Sequence, residues 1–197
     1  MYSKAQMKNT TLYSTFFFLV LITSCSTHRF VKDVEQLMQQ QVTFPSDWRA
    51  IYKGKDTVLT DFWDTPVKLI VWYDSLFCTP CQAIAMYKWY NIVDYADSLA
   101  PSFRIVYLFS PRKDDIGIVY RTLKADKFEY PIFIDHQSSF AKQNQGIPKN
   151  QDLHSFLLDK NNNVVMVGNP LHNPRLWELY KMVIQKMITN NGTLSEN

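Results

Sequence analysis

The stretch Val71-Trp72-Tyr73-Asp74-Ser75-Leu76-Phe77-Cys78-Thr79-Pro80-Cys81 decides the reading of this chain. Upstream, Val67 to Tyr73 is apolar apart from Lys68, the pattern of a strand buried on both faces. Downstream, residues 79–99 are long enough for a helix, with Ile84, Ala85, Tyr87, Lys88, Ile92 and Tyr95 in rough helical period and Pro101 marking its end. The two cysteines therefore fall between a central strand and a helix start. At that spacing they can close a small disulfide ring, and the helix N-terminus favours a thiolate at Cys78. Cys78, at the turn, is expected to be the more exposed and to attack. Cys81, one turn in, is expected to resolve the mixed disulfide. Pro80 sits where its missing N–H costs nothing. Two other readings stay open on the residues alone: a structural disulfide, and half of a metal site. Zinc needs four ligands, and no second CxxC or paired-histidine spacing exists. His28, His136, His154 and His172 are scattered and read as ordinary surface or loop histidines.

Strands and helices alternate outward from this centre. Phe103 to Phe109 is a second apolar strand, residues 112–126 a helix opened by Asp114-Asp115, Pro131 to Ile134 a short strand and residues 137–145 a short helix. Ser155–Leu158 and Asn163–Val167 flank the polar Asp159-Lys160-Asn161-Asn162, which predicts a β-hairpin. Asn173-Pro174 then opens a helix with Leu176, Leu179, Tyr180, Val183, Ile184, Met187 and Ile188 as its buried stripe. On the N-terminal side, Phe44-Pro45-Ser46-Asp47 and Lys53-Gly54-Lys55-Asp56 punctuate an irregular hairpin region over residues 42–65. Residues 28–41, with Phe30, Val31, Val34, Leu37 and Met38, suit a short amphipathic helix, either a stalk or a docked element. This order predicts an α/β fold around a mixed sheet whose first strands run parallel. Trp48, Trp63, Trp89 and Trp177 read as core or groove aromatics.

The first residues stand apart. Lys4 and Lys8 precede an apolar run from Leu12 to Ile22, and no acid occurs before Asp33. Basic residues before a short apolar stretch read as a secretory signal, too short to span a bilayer comfortably. Ile22-Thr23-Ser24-Cys25 resembles the bacterial lipobox, in which the cysteine becomes a lipidated N-terminus. The expected division is a signal peptide over 1–24, a tether over 25–41, a folded domain over 42–190 and a tail over 191–197. With Cys25 lipidated, Cys78 and Cys81 are the only remaining thiols, outside the cytosol where disulfides persist. Processing removes two of the 21 basic residues and none of the 18 acidic ones, changing the formal charge from +3 to +1. Such a balance gives little electrostatic steering and argues against nucleic acid as a partner. With 46% hydrophobic residues and only 20% charged ones, the chain can build a packed core, and no repeat points to a solenoid.

The quoted stretch resembles the active-site segment of the thioredoxin-like superfamily, especially the membrane-tethered TlpA/ResA type. There, an apolar strand leads through aromatic residues into the CxxC helix. The resemblance covers about residues 42–190. Leu157-Leu158-Asp159-Lys160 resembles the family's late strand, and residues 127–146 resemble the strand-helix insert that sets the TlpA type apart. It implies a thioredoxin fold with an N-terminal β-hairpin extension, and a lipid-anchored thiol–disulfide oxidoreductase of the bacterial envelope, facing the periplasm. Cys78 and Cys81 would be the catalytic redox pair. No cofactor or metal is implied, and the partners would be protein thiols and disulfides, with the membrane reached through lipid on Cys25. Phe77, Pro80, Leu153 and His154 would line a substrate groove. A non-catalytic binding or scaffold lipoprotein, or a thiolate module delivering metal or haem, is the alternative. Three positions depart from the family pattern. Phe77 replaces its tryptophan. Trp72 stands where thioredoxins carry a buried acid, with Asp74 two residues on and on the same strand face. Leu153 occupies the family's cis-proline position, Pro148 lying five residues earlier. A cis bond before leucine costs about 2.5–4 kcal/mol, so Leu153 is expected to be trans.

Overall fold

The computed structural model describes residues 28–45, 48–59 and 62–194. The described residues divide into two units, one ending at Glu35 and one beginning at Gln36. Residues 28–38 are helical (α1), and the described part of the first unit belongs to this helix. The lipobox and Cys25 lie outside the described residues.

In the second unit seven strands form one mixed sheet, ordered β2-β1-β5-β4-β3-β6-β7. They are β1 (Ala50–Tyr52), β2 (Lys55–Thr57), β3 (Val67–Tyr73), β4 (Phe103–Phe109), β5 (Ile132–Ile134), β6 (Ser155–Leu158) and β7 (Val164–Val167). The first long strands are parallel, β3 to β4 and β4 to β5, as the alternation predicts. β6 returns antiparallel to β3 and pairs with β7 as the expected hairpin. Its turn is held by Asp159, whose Oδ1 accepts the N–H groups of Asn161 and Asn163. The N-terminal hairpin β1–β2 turns through Lys53 and Gly54, both with positive φ, which is the backbone of a two-residue primed turn. β5 and helix α5 (Ser139–Gln143) form the strand-helix insert. The remaining helices are α2 (Thr79–Ile84), α3 (Tyr90–Ser98), α4 (Ile116–Asp126) and α6 (Pro174–Thr189). Asn173 caps α6 by accepting the Leu176 N–H, and Pro174 occupies its first turn.

β3 is buried throughout, and its side chains alternate between two unlike layers. Leu69, Val71 and Tyr73 face helices, where Trp89 and Tyr107 pack edge to face. Lys68, Ile70 and Trp72 face a layer built from loops and α5, in which Phe44, Trp48, Trp63 and Phe140 meet one another, Phe133 of β5 and, through Phe140, Trp72. The buried Lys68 is accommodated because its Nζ donates to the Thr65 carbonyl at 2.6 Å. Burial pushes its pKa down, against the pull of Asp159 and Asp64. Leu37 is fully buried and Gln36 Nε2 donates to the Gly146 carbonyl, so the segment from residue 36 onward is docked on the domain.

Two expectations are corrected. Residues 79–99 are not one helix: a 3-10 segment, Ala85–Trp89, separates α2 from α3. Across the 3-10 segment the residues turned inward are Ala83, Met86, Trp89 and Ile92, three apart as in a 3-10 turn, and Val93 and Ala96 continue the buried side along α3. Ile84 and Tyr87, expected on the buried stripe, are 64% and 58% exposed. On α6, Tyr180, Ile184 and Met187 are buried as expected, but Leu179 is exposed.

Candidate functional site

β3 delivers the site. After Tyr73 the chain folds into a short strap held by its own backbone. Asp74 Oδ1 accepts the Leu76 N–H at 2.9 Å, the Asp74 carbonyl accepts the Phe77 N–H at 3.2 Å, and the Phe77 carbonyl accepts the Thr79 N–H at 2.9 Å. The strap carries Cys78 to the start of α2, which opens with the Gln82 N–H donating to the Cys78 carbonyl. Pro80 lies in the first turn of α2, where no N–H is needed. Cys78 and Cys81 are joined in a disulfide, with Cα atoms 5.3 Å apart. Both cysteines are exposed, so exposure does not separate an attacking from a resolving thiol, contrary to the expectation that Cys81 lies deeper. α2 has only six residues, so the dipole acting on Cys78 is that of a single short turn rather than of a long helix.

The strand's two faces diverge at this end. On the helix side, the Tyr73 hydroxyl accepts the Trp89 indole N–H at 3.1 Å, and its ring meets Phe77 and Phe109. Burial pushes the Tyr73 phenol up to about 12, with the Trp89 bond pulling the other way. This side is uncharged at neutral pH. On the opposite side, Trp72 donates its indole N–H to Ser110 Oγ at 3.0 Å, and its ring stacks on His154 at 4.3 Å. The Trp72 N–H donates to the His154 carbonyl at 2.9 Å, which locks the start of β6 to β3.

His154 is 1% exposed, which corrects its reading as an ordinary loop histidine. Its Nε2 lies 2.9 Å from the Pro148 carbonyl. A carbonyl only accepts, so Nε2 carries the hydrogen in this assignment. Nδ1 has no hydrogen-bond partner, and Asp74 Oδ2 lies 3.9 Å away. Burial pushes the imidazole pKa down, opposed by the Pro148 carbonyl and then by the Asp74 carboxylate. Only sequence distance concealed this group: Asp74 and His154 both appeared in the reading of the chain, but nothing local joined them.

Of the expected groove residues, Phe77 is half-buried with its ring 6.1 Å from that of His154, and Pro80 is half-buried on α2. Leu153 is buried, its N–H donates to the Asn150 carbonyl at 3.0 Å, and its peptide is trans as expected. The peptide before Pro148 is trans, and its carbonyl lies against His154 Nε2. Between the strap and the loop Ile147–Lys149 lies a pocket of about 450 Å³, with Trp72, Asp74, Leu76 and His154 in its wall. Among the described residues, no group of three or more His, Cys, Asp or Glu side chains could hold a metal ion.

No protein-family model and no curated protein sequence matches the chain. Among solved structures it is similar to a thioredoxin-like protein determined in its oxidised form. The identity is 17% and the TM-score 0.51, over 76% of this chain and 97% of the other. It is also similar to a hypothetical protein from Sinorhizobium meliloti, at 15% identity and a TM-score of 0.50, over 81% and 90% of the two chains. Likeness at this level establishes architecture: the chain has the thioredoxin fold.

Proposed function

We propose that this protein is a lipid-anchored thiol–disulfide oxidoreductase of the bacterial envelope, of the TlpA/ResA type, acting on exported proteins. The observation that carries the reading is the exposed Cys78–Cys81 disulfide, placed on the strap between the central strand and α2 of a thioredoxin fold. The β5–α5 insert and the β1–β2 hairpin support the TlpA/ResA assignment. In the reducing direction, the Cys78 thiolate attacks one sulfur of a substrate disulfide and expels the other as a thiolate, which takes up a proton. Cys81 then loses its proton and attacks Cys78, re-forming the Cys78–Cys81 bond and releasing the second substrate thiol after proton uptake. Two electrons and two protons pass from the cysteine pair to the substrate.

The test is reduction of insulin by dithiothreitol with and without the purified protein. Acceleration is expected, and it should vanish in Cys78→Ser. In Cys81→Ser, mixed disulfides should accumulate on Cys78. A Cys78 thiol no more acidic than the free value of about 8.5 would count against its role as nucleophile. Anchoring is tested separately: palmitate should label the wild-type protein, and Cys25→Ala should abolish the label. Labelling that persists without Cys25 would remove the lipoprotein reading. Trp72 in place of a buried acid and Leu153 in place of a proline favour a second reading, a thioredoxin-fold binding lipoprotein without catalysis. Absence of insulin reduction together with retained partner binding would select it.

A further inference from the structure

The pocket beside the strap has apolar walls and an unsatisfied polar corner. Trp72, Leu76, Ile147 and Pro148 supply the walls. The corner is made by Asp74 and His154. Asp74 Oδ1 is occupied by the Leu76 N–H and, more weakly at 3.4 Å, by Gln151 Nε2. Among the described residues, no hydrogen bond to Oδ2 is formed, and His154 Nδ1 lies 3.9 Å away. With Nε2 protonated against Pro148, a neutral His154 offers Nδ1 only as an acceptor, so it cannot donate to Asp74. Two acceptors thus face each other across a gap too wide for a bond; His154 Nδ1 is buried and unsatisfied at a cost, while the Asp74 side chain, 12% exposed, is open to the pocket.

A single donor atom bearing two or more hydrogens spans such a gap. At ordinary hydrogen-bond lengths of about 2.8–2.9 Å it can approach both acceptors when they are roughly 4 Å apart. An ammonium or guanidinium group meets this need and also neutralises the carboxylate. The apolar walls would cover the aliphatic stem that carries such a group. Lys149, the other charged residue on the lining, is exposed to solvent, where its repulsion is screened. The pocket begins at Ser75 and Leu76, immediately before Phe77-Cys78, so an occupant lies beside the chain that presents the disulfide.

We propose that this pocket is a subsite for a basic side chain, lysine or arginine, of the polypeptide whose cysteine engages Cys78, with Asp74 Oδ2 and His154 Nδ1 as its acceptors. The assignment rests on the exchange reading above and names its substrate class.

The experiment separates binding from exchange. Short peptides are made with serine in place of the reacting cysteine and lysine one or two residues to either side. Norleucine replaces lysine in the matched controls. Binding to the full-length oxidised protein is followed by NMR, through the His154 ring and Trp72 indole resonances. At least one lysine peptide should bind about fivefold or more tightly than its control, with those resonances shifting. The preference should collapse in Asp74→Asn, whose amide oxygen can still accept the Leu76 N–H. Equal affinities for every lysine and norleucine pair would overturn the proposal, as would a preference that survives undiminished in a folded Asp74→Asn. If Asp74→Asn does not fold, the wild-type resonances decide: a lysine preference that leaves His154 and Trp72 unshifted places the side chain elsewhere and also overturns it. The cysteine versions of the same peptides report exchange. Failed exchange with an intact lysine preference would refute the oxidoreductase reading and leave the subsite standing.

Discussion

The two sides of β3 at its C-terminal end solve the same problem differently. On the Tyr73 side the groups are neutral and closed inside the core: the phenol meets the Trp89 indole, the rings of Phe77, Phe109 and Tyr107 complete the layer, and the Tyr107 hydroxyl is buried without a partner. On the Trp72 side, a carboxylate, an imidazole and a hydroxyl are brought into a pocket wall, and one ring nitrogen is left without a partner. A neutral aromatic layer closed inside the core stabilises the fold and presents no charged group to the pocket, whose lining includes Asp74 and His154. A buried polar group left unpaired costs stability, and such costs concentrate where a site must bind something. The helix side therefore reads as the scaffold of the disulfide strap, and the loop side as its recognition face.

The largest expected effect tests the strap that both sides hold. Cys78→Ser should lower insulin reduction at least about a hundredfold, because Cys81 alone has no second thiol with which to close the disulfide and release the substrate. Residual activity near wild type would mean that neither side of the strand serves exchange. Next, Trp89→Ala should destabilise the fold by about 3–5 kcal/mol in denaturant titration, the usual cost of removing a fully buried large aromatic. A loss under about 1 kcal/mol would show that the helix side is not the scaffold.

Leu153→Pro is smaller and acts on the loop side. The resembling family carries proline here, but in this chain the Leu153 N–H donates to Asn150, and the side chain is buried. Proline removes that bond and part of the packing, so a loss of about 2–3 kcal/mol is expected, visible as a lower Tm. Unchanged stability would indicate that residues 150–154 can adopt the family's path.

The smallest effect is the pH dependence carried by His154. Its folded pKa lies below the ordinary value of about 6.5, so the unfolded chain binds this proton more readily. The stability it contributes is present above that value and is lost as pH falls through the folded pKa. Between pH 7.5 and pH 5 the wild-type Tm should therefore fall more than that of His154→Gln. Parallel curves would mean that His154 protonates as easily in the fold as outside it, and the contrast between the two sides would weaken.

How much of this was legible depends on the range of the interactions involved. β3, β4, the β6–β7 hairpin and the start of α6 follow from patterns within a few residues: an apolar run, an Asp-Asn turn, an Asn-Pro cap. The Cys78–Cys81 pair was legible for the same reason, since three positions separate its members and the strand and turn before it are local. Residues 79–99 looked like one helix because Ile84 and Tyr87 are apolar. Which apolar residues turn inward was settled by Tyr73 and Tyr107, which receive Trp89 and draw the buried stripe onto a three-residue period.

By itself, then, the sequence determined the order of elements, the parallel centre of the sheet and the place of the disulfide, because each is set by local hydrophobic period and backbone preference. Only the tertiary structure decided that His154 is buried, that Pro148 holds its Nε2 and that Nδ1 faces Asp74 without a bond. Those residues are 6 and 80 positions from His154 along the chain. They meet only because β6 returns antiparallel to β3 and sets His154 against Trp72. The physical reason is that burial and pairing of a polar group depend on which distant surfaces close over it, and no local pattern records that.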